Sequence, residues 1–150
     1  PPDLLIPDRT TLDPGGVQAT VRYLGRGHTD NDLVITIGDV LFAGDLVEEG
    51  GPPSFDDSYP ISWAAVLGQI ADSGCGVVVP SHGKVVDRDF VVGMAQQMEE
   101  VVKRAQDSIG DGRSVDEAAV DGLDLPVPVA RIAIGRAYSE LGAEASPKSR

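Results

Sequence analysis

The fold of this chain is decided by residues 33–45, whose sequence is LVITIGDVLFAGD. Two apolar runs, Leu33–Ile37 and Val40–Ala43, are separated by Gly38-Asp39, a two-residue pair suited to a β-hairpin turn. The second run is continuous rather than alternating, which predicts a strand covered on both faces. We therefore predict a β-hairpin whose second strand ends at Gly44-Asp45.

The segments on either side of this hairpin predict further strands and helices. Upstream, residues 1–16 are rich in proline and glycine and are predicted as a loop, whereas residues 17–24 alternate as a half-buried strand does. Downstream, apolar residues at helical spacing predict a helix with Ser62 as its N-cap. A short strand at residues 77–79, stopped by Pro80, and two more helices follow. This order predicts a layered α/β (α+β) domain.

The composition limits what such a domain binds. The 150 residues include 12 Lys and Arg against 24 Asp and Glu, a formal net charge of −12. That balance argues against nucleic acids and anionic membrane surfaces. The single Cys excludes a disulfide framework and a thiolate zinc cluster. We expect a small-molecule substrate, no nucleic-acid or membrane partner and, since no secretory signal is visible, a cytoplasmic protein.

Three side chains with metal-ligating chemistry follow predicted strands. His28 lies in the glycine-flanked loop at residues 25–32, Asp45 follows the run at 40–43, and His82 follows the run at 77–79. If these strands share one sheet, the three side chains emerge along one edge. Imidazole and carboxylate are ligands that zinc and iron use. From spacing alone, the commoner interpretations are an ordinary surface or hydrogen-bonding histidine and a Gly-Asp turn, with metal binding as the alternative.

The residue identities in the three motifs help to choose between a metal site and these ordinary interpretations. GRGHTDND at 25–32, LFAGDL at 41–46 and VPSHG at 79–83 resemble, in order and interval, the metallo-β-lactamase-fold hydrolases. The resemblance implies half of an αββα sandwich, with one mixed sheet faced by helices. It also implies that His28 is a ligand of a first zinc ion, that Asp45 bridges two metal ions and that His82 is a ligand of the second.

The resemblance further implies a reaction. A water molecule whose pKa zinc lowers to about 7 attacks the scissile bond, which the metal polarises. Lactams, lactones, thioesters and other ester-like bonds are all candidate substrates, because the fold alone does not fix the function.

The chain departs from this family at its main metal motif, H-x-H-x-D-H. Both histidines already belong to the later motifs, so that motif is absent from these 150 residues. The resemblance is therefore to a C-terminal half. We predict such a part-domain at residues 1–143 and a flexible tail at 144–150. Because a catalytic zinc needs three protein ligands, we expect the chain alone to hold no zinc, or one zinc weakly, and to hydrolyse little.

Three other residues are candidates for the surroundings of the site. Asp30 and Asp32 lie in the loop that follows His28, which in the resembled family supports the histidine. Their segment lacks the Gly and the closing Glu of a calcium loop and is predicted as a turn and strand cap. Tyr59, in the acidic loop after Asp45, is a candidate to contact substrate.

Two functions stay open at this stage. One is the C-terminal half of a metal-dependent hydrolase, and the other is a non-catalytic remnant that serves as an interaction or structural domain. Half of a two-sheet sandwich leaves an apolar sheet face and strand edges uncovered. We therefore expect self-association through that face, or dependence on a missing half.

Overall fold

The computed structural model describes residues 5–6 and 8–142, so the predicted tail at 144–150 lies outside the described residues. Eight elements are present in the described part. They are, in chain order, β1 (Arg9–Leu12), β2 (Ala19–Tyr23), β3 (Leu33–Ile37), β4 (Val40–Glu48), α1 (Pro60–Ala71), β5 (Val77–His82), α2 (Arg88–Gly110) and α3 (Val127–Glu140).

The described strands form one mixed sheet in the order β1-β2-β3-β4-β5. The first four strands pair antiparallel, and β5 pairs with β4 in parallel after the crossover through α1. The predicted hairpin is confirmed, because Ile37 pairs with Val40 across a turn in which Gly38 has a φ of 57°. The expected single mixed sheet faced by helices is also confirmed.

One strand forms where a loop was predicted, and two others are longer than their apolar pattern predicted. Residues 9–12, expected in a loop, form β1 because their backbone pairs with β2. β4 continues past a ladder irregularity at Gly44 to Glu48, so Asp45 lies within a strand rather than after it. β5 continues through Pro80 to His82. Proline is tolerated in this edge strand because Pro80 lies outside the isolated antiparallel bridge, Val78 to Val86, on the outer side of β5.

The helices cover one face of the sheet. Val34, Leu41 and Val78 lie on neighbouring strands and are 1–2% exposed, in the same buried cluster as Trp63 and Leu67 of α1. The prediction that both faces of residues 40–43 are covered was wrong. Leu41 and Ala43 are buried, but Phe42 between them is 40% exposed, because the described helices pack on one side only.

The opposite face of the sheet is apolar and open among the described residues. Leu33, Ile35 and Phe42 on β3 and β4 are 37–40% exposed. Ile35 and Phe42 are directly paired, so their side chains lie on the same face. This is the open face that half of a two-sheet sandwich is expected to have. Separately, none of the described helices is both long and apolar enough to cross a lipid bilayer.

The N-terminus of α1 is capped from a distant part of the chain. Ser62 was predicted as the N-cap, but the helix begins two residues earlier, at Pro60, because proline suits the first helical turn. The carboxylate of Glu140, at the end of α3, accepts hydrogen bonds from the N–H of Ile61 (2.7 Å), the N–H of Ser62 (3.0 Å) and the Ser62 hydroxyl (2.5 Å). Glu140 therefore ties α3 to the beginning of α1.

Replacing Glu140 with alanine should lower the free energy of unfolding by about 2 kcal/mol, because an N-terminal cap and charge-assisted hydrogen bonds are lost. Urea unfolding measures the change. Glu99→Ala, which removes an exposed carboxylate from α2, is the control and should cost less than about 0.5 kcal/mol. Equal losses in the two variants would contradict the capping role.

Candidate metal centre

The sheet brings the three predicted ligands together at one edge. Asp45 lies on β4 just after Gly44, whose positive φ of 60° accompanies the break in the ladder with β5. Its Oδ2 is 4.0 Å from Nδ1 of His28, and its Oδ1 is 3.8 Å from Nε2 of His82. The aspartate thus stands between the two histidines, and each imidazole faces its own carboxylate oxygen.

These separations are longer than hydrogen bonds and close to the spacing of metal ligands. Hydrogen bonds from nitrogen to oxygen are normally about 2.7–3.2 Å long. Two ligand atoms about 2.1 Å from a tetrahedral zinc ion lie about 3.4 Å apart. A small inward movement of His28 and His82 toward Asp45 would reach that spacing on each side.

The buried nitrogen of His28 supports this interpretation. Its Nδ1 is the one buried side-chain nitrogen or oxygen without a hydrogen-bond partner in the part of the chain that the structure describes. Buried polar atoms are nearly always paired. Asp32 Oδ1 lies 3.9 Å from this nitrogen, and Asp32 already accepts hydrogen bonds from the N–H (2.7 Å) and hydroxyl (2.8 Å) of Thr29. The free nitrogen and the donor types fit zinc.

The set of donors is nevertheless incomplete. Within residues 5–6 and 8–142, no group of three or more His, Cys, Asp and Glu side chains is arranged to hold a metal ion. His28 and His82 face different oxygens of Asp45 instead of sharing one, which agrees with two half-formed positions. The residues present therefore supply part of the ligand set of a metal centre, and further donors are required to complete the coordination.

Trp63 supports the cluster at His28 and at the backbone beside Asp45, a role that the helical pattern did not reveal. The side chain is fully buried, and its indole N–H donates to the carbonyl of Leu46, the residue after Asp45, at 3.0 Å. Its ring meets the imidazole of His28 edge-on, with centroids 5.8 Å apart. At Gly27, a Cβ would overlap the Leu46 side chain and lie 3.3 Å from Trp63. These residues pack closely behind the candidate ligands.

Gly27→Ala is expected to cost about 1–3 kcal/mol of unfolding free energy, because an extra methyl group overpacks this buried contact. It should also displace the loop that carries His28. Urea unfolding and amide chemical shifts of residues 25–32 report both effects. Gly51→Ala is the matched control, because nothing lies within 4 Å of a Cβ there. Wild-type stability in Gly27→Ala would show that the contact is not tight.

Asp30 and Tyr59 lie beside the cluster. They line, with Thr29, Asn31, Asp57 and Arg136, a cavity of about 410 Å³. The Tyr59 N–H donates to the carbonyl of Gly27 at 2.8 Å, so Tyr59 also fixes the backbone before His28. The guanidinium groups of Arg26 and Arg136 lie 4.9 and 5.5 Å from its ring centroid. Substrate contact by Asp30 or Tyr59 stays a prediction.

Several solved metallo-β-lactamases have a similar fold. The metallo-β-lactamase from Pontibacter korlensis has a TM-score of 0.57 and 28% sequence identity, over 63% of this chain and 49% of that one. DIM-1 metallo-β-lactamase has a TM-score of 0.51 and 23% identity, over 59% and 45%. FIM-1 from Pseudomonas aeruginosa, in its mono-zinc form, has a TM-score of 0.50 and 23% identity, over 55% and 39%.

These likenesses place the chain in the metallo-β-lactamase-fold superfamily, as its three motifs predicted. The chain spans about half the length of the Pontibacter korlensis enzyme and less of the other two. No protein-family model and no curated protein sequence matches it.

Proposed function

We propose that this chain carries part of the active site of a zinc-dependent hydrolase. The observation that carries the proposal is Asp45 standing between His28 and His82 at the sheet edge of a metallo-β-lactamase fold. These three residues would supply part of the ligand set, and the similar FIM-1 was solved in a mono-zinc form. Zinc bound there would supply Lewis-acid polarisation of the scissile bond and a water molecule of lowered pKa.

The three side chains would contribute differently. His28 is 21% exposed and backed by Trp63, so it forms the rigid inner wall of the centre. His82 is 74% exposed, which leaves the outer side open for a substrate to approach. Asp45 supplies the negative charge that a divalent cation requires. With a net charge of −12, we expect an uncharged or weakly charged lactam, lactone or thioester rather than a polyanion.

The hydrolase proposal needs donors from outside the described residues. We expect them on a segment carrying H-x-H-x-D-H, so the coding sequence upstream of Pro1 is the first test. The motif within about 100 residues, half a typical domain or more, supports an enzyme. The longer protein, loaded with zinc, is then assayed on nitrocefin, a lactone and a thioester. If the zinc-loaded protein hydrolyses none of these three substrates, the hydrolase proposal is wrong.

The open sheet face favours a second candidate function, a non-catalytic interaction domain. Exposed apolar patches of this kind are rare on stable monomers. We expect the isolated chain to self-associate through Leu33, Ile35 and Phe42, with a mass by light scattering that rises with concentration. Ile35→Lys should reverse this, whereas Ile132→Lys on α3, also exposed, should not. A monodisperse wild-type monomer at high concentration would contradict the prediction.

A further inference from the structure

The turn that follows His82 is held by the side chain of Glu49. The N–H of Glu49 donates to the carbonyl of His82 at 3.1 Å, and its carboxylate Oε2 accepts from the N–H of Lys84 at 2.6 Å. Between these bonds lies Gly83, with a positive φ of 86°. A Cβ at Gly83 would overlap both the backbone and the carboxylate of Glu49. The turn and Glu49 are therefore in direct, close contact on both sides of Gly83.

His82 needs such a restraint more than the other two candidate ligands. It is the last residue of β5, an edge strand that pairs with β4 and, four residues before His82, is bridged at Val78 to Val86. The side chain of His82 itself is 74% exposed. Few packing contacts limit its movement. Its Nε2 nevertheless faces Asp45 at 3.8 Å. Ligand side chains keep their geometry only when neighbouring groups hold them in place.

We propose that Glu49 is a positioning residue for His82: its carboxylate fixes the turn at residues 82–84 and thereby keeps the imidazole facing Asp45. This inference rests on the proposed metal centre, since it concerns one of its ligands. Glu49 acts through the backbone and does not touch the metal.

The neighbouring residue offers a matched control. Glu48 carries the same charge and pairs with His82 in the parallel ladder through its backbone. Its carboxylate, however, accepts a hydrogen bond from the N–H of Ser54 at 3.4 Å, away from the turn. Replacing Glu48 therefore removes one negative charge near the centre without removing the contact to Lys84.

Hydrogen exchange on the metal-free chain tests the restraint itself. In Glu49→Ala, the Lys84 amide should exchange roughly tenfold faster, because a charge-assisted hydrogen bond is lost. Glu49→Gln should restore most of the protection, because its amide oxygen also accepts a hydrogen bond. Glu48→Ala should leave Lys84 unchanged. Wild-type exchange at Lys84 in Glu49→Ala would overturn the proposal, whatever the metal does.

Cobalt(II) titration, followed by the imidazole NMR signals, tests the consequence for the ligand. Glu49→Ala should weaken the response of His82 roughly 10- to 100-fold, and Glu49→Gln should recover it. Unchanged cobalt affinity in Glu49→Ala would overturn the positioning role. The positioning role would also be overturned if Glu49→Gln restored the protection of the Lys84 amide but not the cobalt affinity. Glu49 would then be a metal ligand itself. Because the chain alone is expected to bind metal weakly at most, the titration runs to a large excess of cobalt(II). If neither His28 nor His82 responds there in the wild type, the proposed metal centre fails, and hydrogen exchange still tests the contact between Glu49 and Lys84.

Discussion

Replacing Trp63 with alanine is expected to lower the free energy of unfolding by about 4 kcal/mol. The side chain is fully buried between Phe55, 5.6 Å away between ring centroids, and His28, so its removal leaves a large cavity. It also leaves the buried Leu46 carbonyl without its indole donor. Since single domains are stable by about 5–15 kcal/mol, this one change removes a large part of the total. Urea unfolding followed by circular dichroism measures it.

Two further variants separate the parts of this effect. Trp63→Phe keeps most of the apolar volume but loses the indole N–H, and we expect about half of the alanine loss. Ile132→Ala on α3 removes an apolar side chain that is 43% exposed and should cost less than about 1 kcal/mol. If Trp63→Ala costs no more than Ile132→Ala, Trp63 does not support the centre as described.

Asp45→Asn is expected to abolish the joint response of His28 and His82 to zinc. A carboxamide has one oxygen in place of two and carries no negative charge. It therefore cannot offer a charged oxygen to the metal position beside each imidazole, as the carboxylate does. We expect zinc affinity to fall by more than about 100-fold, beyond the loss typical of residues that only support a ligand. Zinc titration followed by the imidazole NMR signals measures both histidines in one experiment.

The stability of this variant should remain close to that of the wild type, because the Asp45 side chain is 44% exposed. Asp56→Asn, an exposed carboxylate in the loop after β4, is the control for loss of one charge. Equal zinc affinity in the Asp45 and Asp56 variants would contradict the assignment of Asp45 as the shared ligand.

The parts of the fold that depend on local sequence were predictable. The hairpin at 33–45 follows from two apolar runs and a Gly-Asp turn, all within 13 neighbouring residues. β1 was missed because Arg9-Thr10-Thr11-Leu12 has little apolar alternation and becomes a strand through its pairing with β2. The exposure of Phe42 was missed because coverage of a strand depends on which layers are present, which a single apolar run does not reveal.

In the candidate site, too, the features set by local sequence were predictable and those set by tertiary contacts were not. His28, Asp45 and His82 stand out because their motifs lie at the ends of apolar runs, and the sheet brings them together at one edge. The bonds that hold them were not predictable. Trp63 reaches Leu46 across 17 residues and Glu49 reaches Lys84 across 35, so both depend on side-chain direction in the folded chain. The capping of α1 by Glu140 was missed for the same reason, because Glu140 lies 78 residues from Ser62 in the sequence.

The central claim is that His28, Asp45 and His82 form a share of a zinc centre and not a whole one. The zinc content of the 150-residue chain, measured after loading with zinc and exhaustive dialysis, tests this most directly. We predict far less than one zinc ion per chain, because three donors facing two positions do not close a tetrahedral site. About one tightly held zinc ion per chain would contradict the account.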